Sequence, residues 1–358
     1  MAMSNVLVLL LTLSGFCLIV EVESLGINYG QVANNLPPPN TALNLLHSLN
    51  LTKARIYDTN PQILTAFANS NMELIVTVEN QMLATLTDPS QALQWVSTHI
   101  KPYFPTTRIT DIHVGNEVFT GPGDTTLISY LVPTMKNIHA ALVRLGLDRF
   151  IHVSTPSSLA VLQDSFPPSA GLFRAELSRV MPQLLQFLAD TKSPFWIDAY
   201  PYFAYKDNPK SISLDYVLFN PNTGMVDPLT NLHYDNMLYA QVDAVIFAME
   251  KMGYGGLEVR VSETGWPSRG DLGETGASAR NAAVYNGNLM RRQLKNEGTP
   301  MRPKMRLEAY VFAMFNEDMK PGPTSERNYG LFHPDGTMVY NIGLSELNST
   351  SSSTGLFP

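Results

Sequence analysis

The chain has 358 residues, 44% of them hydrophobic, with a formal net charge of −7 and a sequence pI near 5.5. That much apolar material fills one large α/β barrel or two ordinary domains. The acidic balance argues against a nucleic-acid groove or an anionic membrane surface as partner and leaves a neutral ligand as the better fit.

At the amino terminus, Val6 to Val20 (VLVLLLTLSGFCLIV) is an apolar run too short to cross a bilayer comfortably, and Val22 and Ser24 follow as small residues suited to signal-peptidase cleavage. An exported chain, extracellular or held in a cell wall, is therefore expected, with residues 1–24 as its leader, although no Lys or Arg precedes the apolar run. Removing the two acids Glu21 and Glu23 with the leader changes −7 to −5, and removing Cys17, the only cysteine, leaves no thiol and no disulfide.

Beyond the leader, β-branched and aromatic runs occur at 25–30, 53–58, 73–78, 109–117, 149–156, 194–201, 257–265 and 306–317. Helical periodicity lies between them, at about 40–50, 60–70, 89–101, 127–146, 180–191, 235–252 and 279–297. Asn60-Pro61 and Asp88-Pro89-Ser90 are helix start signals, and Leu238, Val242, Val245, Ile246 and Met249 share one helical face. Eight strands joined by crossover helices predict an α/β protein, a single-domain (β/α)₈ TIM barrel over residues 25–344. A doubly wound open sheet is the runner-up, but Gly30-Gln31-Val32-Ala33-Asn34-Asn35 after the first strand lacks the glycine cradle of a dinucleotide site.

The Pro/Asn-rich stretch 206–235 reads as a long loop walling the site, and Gly270 to Gly276 as a mobile loop. Residues 345–358 read as a flexible Ser/Thr-rich tail without the hydrophobic stretch of a lipid-anchor signal. In an exported chain, the sequons at Asn50 and Asn348 are glycosylation positions. A monomer with no membrane-spanning segment in the mature chain is expected.

Two strands, the fourth and the seventh, run into glutamates: Glu117 in IHVGNEV and Glu263 in VRVSETGWP. In a barrel the carboxy ends of strands share one mouth. Eight strands about 4.8 Å apart and tilted about 36° give a radius near 7.5 Å, so strands three steps apart are separated by about 14 Å and two inward-reaching glutamates end about 6 Å apart. That distance suits glycosidic bond hydrolysis and leaves both the retaining spacing of about 5–5.5 Å and the inverting spacing of about 6.5–9.5 Å open. A retaining pair needs one carboxyl protonated and the other ionised, so the surroundings must push the two pKa values apart.

Asn116 beside Glu117 is placed to bond a sugar hydroxyl, and aromatic rings at strand ends offer flat faces to a pyranose. Tyr29, Tyr200, Phe203 and Phe315 are the expected contacts. The histidines at 47, 99, 113, 139, 152, 233 and 333 show no ligand spacing, and His113 and His152, within strands, read as core residues. No metal and no cofactor are expected, and no nucleophile elbow or P-loop is present.

IHVGNEV, VSETGWPS, the amino-terminal LGINYGQVANNLPPP and the carboxy-terminal AMFNEDMKPGPTSERNYGLFHPDG together resemble the plant β-1,3-glucanases of glycoside hydrolase family 17, over nearly the whole mature chain. The resemblance implies endo-hydrolysis of (1→3)-β-D-glucan with retention, Glu117 as acid/base and Glu263 as nucleophile. It also implies that Glu317, Lys320 and Glu326 hold glucose hydroxyls or tune the nucleophile's charge. Related enzymes on mixed (1→3,1→4)-β-glucan share these motifs, and a glucan-binding protein without turnover is a further alternative. The cysteine-rich carbohydrate-binding module that follows the barrel in the family's longer members is not expected here.

Overall fold

The computed structural model describes residues 25–120 and 125–343. The expected leader with Cys17, the sequon at Asn348 and the tail lie outside the described residues. In chain order the elements begin β1 Gly26–Tyr29, α1 Pro39–Ser48, β2 Lys53–Ile56, α2 Pro61–Ala66, β3 Glu73–Val78, α3 Leu83–Leu86, α4 Pro89–His99, β4 Arg108–Val114 and α5 Thr125–Leu145. They continue through β5 His152–Ser154, β6 Pro156–Ser158, β7 Leu162–Asp164, β8 Leu172–Phe173, α6 Met181–Thr191 and β9 Phe195–Asp198. The last are α7 Pro201–Asp207, α8 Leu214–Val217, β10 Met225–Val226, β11 His233–Tyr234, α9 Met237–Lys251, β12 Val259–Thr264, α10 Ala279–Leu294 and β13 Ala309–Val311.

The main sheet runs β5-β4-β3-β2-β1-β13-β12-β9-β6, with every neighbouring pair parallel. β5 and β6 are two halves of one strand interrupted at Thr155; the first half pairs with β4 and the second with β9, so the ring closes as the expected eight-stranded barrel. Helix starts follow the sequence signals. The Asn60 side chain accepts from the Gln62 amide at 2.9 Å, the Asp88 side chain from the Ser90 amide at 2.7 Å, and each is followed by proline at the first helical position. Leu238, Val242, Val245, Ile246 and Met249 of α9 are all buried, but so are Tyr239, Ala240, Gln241, Asp243, Ala244 and Ala248, so the helix is covered on more than the one face the sequence indicated.

The stretch expected as a loop at 206–235 contains the end of α7, α8 and the β10–β11 hairpin. Elements only two to four residues long carry too few side chains to show a period. The segment 270–276, expected to be mobile, is braced: Asp271 and Glu274 accept from the backbone amides of Thr324 and Ser325 at 2.9 and 3.0 Å, and the Trp266 indole donates to the Gly276 carbonyl at 2.9 Å.

Strand residues alternate between two cores. Phe195 and Ile197 face the large apolar layer under the helices, whereas Trp196 joins Ile75 and Tyr310 in a separate cluster inside the barrel. Trp196 meets Tyr310 edge-on at 5.6 Å and His113 at 5.0 Å. His113 is a core residue as expected, kept neutral because desolvation pushes its pKa well below the usual value. His152 is not: it begins β5 on the exposed side, where strand position alone does not ensure burial. Below the aromatic layer, Lys53, Glu73, Glu308, Arg108, Arg260 and Glu258 link the strand starts through ion pairs of 2.7–3.5 Å.

Gly26 exists because Tyr310 fills the space where a side chain would stand; a Cβ there would lie 2.4 Å from the ring. Gly26→Ala should therefore lower stability by about 1–3 kcal/mol through overpacking, seen as a lower midpoint in urea. Adding Tyr310→Leu, which removes the colliding ring, should recover part of that loss; an unchanged midpoint in the single variant would contradict this packing.

Candidate active site

A cavity of about 600 Å³ opens at the carboxy ends of the strands, and Glu117 and Glu263 both line it. Each is aimed by a local departure from regular structure. β12 bulges where its pairing with β9 shifts register between Val261 and Glu263. The bulge lets two consecutive residues serve the interior: the Ser262 hydroxyl donates to Asp198 Oδ1 at 2.5 Å while Glu263 meets the cleft. Glu117 lies three residues past β4, in the left-handed backbone region at φ 50°, after Gly115 at φ 69°. The turn is pinned by its neighbours. Asn80 accepts from the Asn116 amide at 2.8 Å and donates to its carbonyl at 3.0 Å, and the Glu117 amide donates to the Pro156 carbonyl at 3.1 Å.

Three donors converge on Glu263. Arg55 Nη1 and the Tyr57 hydroxyl donate to Oε1 at 2.8 and 2.7 Å, and the Tyr200 hydroxyl donates to Oε2 at 2.8 Å. An ionised carboxylate, an acceptor at both oxygens, is the form that suits three donors. Arg55 itself is 0% exposed. Burial acts to lower its pKa, but the surrounding acids and phenols outweigh that and keep the guanidinium charged. Its Nη2 also donates to Asn116 Oδ1, and Asn116 lines the cleft. Burial, and then the charge of Glu263, push the two tyrosines' pKa values well up, so they remain donors.

Glu117 has the opposite environment. Desolvation first, then the charge of Glu263, push its carboxyl up to about 7, against the pull of Arg55 and a hydrogen bond with Asp198. The buried Asp198 carboxyl is also raised well above the usual range, by desolvation and by Glu263. The cleft therefore sets a carboxyl pushed toward keeping its proton opposite one clamped by three hydrogen-bond donors.

Of the other expected residues, Asn116, Tyr200, Phe203, Glu317, Lys320 and Glu326 line this cavity. Glu317 Oε1 accepts from the Val32 amide at 2.8 Å, and its Oε2 lies 3.7 Å from Lys320 Nζ. Only glycine fits at position 30, where a Cβ would come within 2.5 Å of the Glu317 carboxylate. Lys320 Nζ sits 3.9 Å from the centre of the Phe312 ring, a cation–π contact. Desolvation raises the Glu326 pKa, with Lys320 opposing.

Tyr29 and Phe315 are corrections. Each is 2% exposed, they pack edge to face at 5.9 Å, and neither lines the cavity. The reason is strand alternation: Asn28 faces the barrel interior, donating to the Ser262 carbonyl at 3.0 Å, so Tyr29 faces the helices. Phe312 and Tyr329 supply the aromatic wall instead, at 6.4 and 5.8 Å from Tyr200. The segment 206–235 does not line this cavity either. The sequence reading missed Arg55, Tyr57 and Asp198. The signal was there, since KARIYD and FWIDAY each place a charge inside an apolar strand, which is rare without a partner. Among the described residues no cluster of His, Cys, Asp or Glu could hold a metal ion, and no helix is long and apolar enough to cross a membrane.

The sequence profile of glycosyl hydrolases family 17 matches residues 25–344. Glucan endo-1,3-beta-glucosidase 14 of Arabidopsis thaliana is 50% identical over 339 residues, spanning 94% of this chain and 86% of that protein. Glucan endo-1,3-beta-glucosidase 10 of the same plant is 52% identical over 349 residues, spanning 97% and 82%. A solved β-1,3-glucanase and allergen of Cryptomeria japonica pollen superposes with a TM-score of 0.86 at 43% identity, covering 90% of this chain and 99% of that one. A second structure, from a pair of plant β-glucan endohydrolases with distinct substrate specificities, gives 0.82 at 38% identity, covering 89% and 99%.

A carboxyl whose pKa is raised on folding stabilises below its unfolded value and loses that contribution as pH rises through the folded one. For Glu117 that window runs from the ordinary 4.5 to about 7. Glu117→Gln should accordingly gain about 1–3 kcal/mol over the unmodified protein at pH 8 relative to pH 4, measured by urea unfolding at both pH values. An equal difference at both would show that Glu117 titrates normally.

Proposed function

Because the chain belongs to glycosyl hydrolase family 17, we propose that it is a secreted endo-hydrolase of (1→3)-β-D-glucosidic linkages in callose-, laminarin- or fungal-wall-type glucans. The observation that carries this reading is the opposed setting of two acids over one cavity, Glu263 clamped by three donors and Glu117 pushed up to about 7.

In the proposed reaction Glu117 gives its proton to the leaving glycosidic oxygen while Glu263 attacks the anomeric carbon, forming a glycosyl ester. Water entering the vacated side then loses a proton to Glu117 and breaks that ester, returning both residues to their starting states with net retention. Arg55, Tyr57 and Tyr200 hold the attacking carboxylate in place. Asn116 donates to a hydroxyl beside the reacting carbon, while Tyr200 and Phe203 stack on one side of the scissile bond. Glu317, Lys320 and Glu326 take hydroxyls on another wall of the cleft. The exposed Asn50 is the glycosylation position this reading assigns among the described residues. Mixed-linkage (1→3,1→4)-β-glucan is the second reading, because related plant enzymes on that substrate share the motifs around Glu117 and Glu263.

Glu263→Gln should lower laminarin hydrolysis by about 10⁴-fold or more with an unchanged circular dichroism spectrum; near-normal turnover would refute the assignment. For the unmodified enzyme, proton NMR of the first products should show the β-anomer ahead of mutarotation, whereas an initial α-anomer means inversion. Reducing-sugar release should be faster from laminarin than from barley mixed-linkage glucan, and the reverse would transfer the assignment to the second reading.

A further inference from the structure

Beside the catalytic cleft lies a second cavity, of about 630 Å³, bordered by α7, α8, the β10–β11 hairpin and the start of α9. Ala204 and Gln241 line both, so the two spaces meet at that pair. None of the residues around the second cavity carries a charge. Its surface combines rings from Phe166 and Tyr216 with hydroxyls and amides such as Ser211, Thr223, Asn208 and Gln241.

Two polar atoms there lack a protein partner: the Tyr216 hydroxyl and Gln241 Oε1, the latter on a residue only 9% exposed. A buried amide oxygen or phenol without a partner is costly unless something bonds it. The walls are fixed. Asp227 of the hairpin connection accepts from the Ser169 amide and hydroxyl at 2.8 and 2.7 Å, and Asn222 donates to the carbonyls of Asn220 and Asp235 at 2.7 and 2.9 Å. Phe166 stands 76% exposed, a flat apolar face presented to solvent at one edge.

Uncharged polar groups beside open aromatic faces match the chemistry of a pyranose, which presents hydroxyls at its rim and C–H bonds on its faces. The volume falls within the range of about 300–1,000 Å³ usual for ligand pockets. We propose that this cavity binds a glucosyl unit of the same polysaccharide that occupies the catalytic cleft, entering past Ala204 and Gln241, with Phe166 and Tyr216 as its contacts. This rests on the hydrolase reading of the cleft. The unit is either the chain continuing beyond the cleaved bond or a side branch, and both present the same sugar chemistry.

The test compares Phe166→Ala and Tyr216→Phe with the unmodified protein, using laminaritriose, linear laminarin-type chains and a (1→6)-branched (1→3)-β-glucan. The ratio of kcat/KM for polymer to that for trisaccharide should fall about tenfold in Phe166→Ala, mainly through KM, with a smaller fall in Tyr216→Phe. A fall on both polymers assigns the pocket to the continuing chain, and a fall on the branched one alone assigns it to a branch. Ratios unchanged on both overturn the proposal. Calorimetric titration of laminarihexaose into a Glu263→Gln background keeps the pocket testable without turnover: tenfold weaker binding on adding Phe166→Ala supports it, and equal binding overturns it. An unmodified protein that cleaves no glucan would instead refute the hydrolase reading, leaving the titration to decide the pocket.

Discussion

The buried Arg55 guanidinium is the interaction on which the catalytic cleft depends. Glu263, Asp198 and Glu117 crowd one end of the barrel, and burial raises the pKa of the latter two. One permanent positive charge, 2.8 Å from Glu263, offsets part of that repulsion and acts against the upward shift of Glu117 and Asp198. Its second nitrogen binds Asn116, whose backbone is clamped by Asn80. A single planar group thus ties the Glu263 carboxylate at the end of β12 to the turn after β4 that carries Glu117. Lysine, with one compact ammonium, could not reach both at once.

The rest of the site is built around that bond by backbone irregularities. A bulge in β12 turns consecutive residues toward the interior, and a left-handed residue after Gly115 directs Glu117 back over the opening. Neither conformation is favoured locally, and each is held by hydrogen bonds from neighbouring strands and loops. The Glu317–Lys320 pair is placed with similar economy, against a backbone amide and a glycine that leaves it room.

The barrel was legible because its signals are long ones: eight apolar runs, amphipathic helices and caps such as Asn60 and Asp88 recur at regular intervals. The two glutamates were legible as a pair: one strand-end acid is commonplace, but two at the carboxy ends of strands in one repeating βα chain share a single barrel mouth. Side-chain direction was not. Parallel strands are buried on both faces, so their sequences do not alternate between polar and apolar, and apart from an isolated charge such as Arg55 or Asp198 little marks which residues face the barrel axis. Tyr29 was assigned to the cleft for that reason, although its neighbour Asn28 is the one that points inward. The bulge at Ser262–Glu263 leaves no mark on composition, and the short elements between α7 and α9 are below the length at which periodicity can be read.

The aromatic layer of Trp196 and Tyr310, above the ionic ring at the strand starts, has a consequence for solvent. It stoppers the cylinder, since these rings are 0% and 1% exposed and Ile75 fills the space beside them. The vessel is therefore blind-ended. Sugar, leaving fragment and incoming water all reach the acids from the carboxy-terminal side of the strands, and none arrives along the barrel axis.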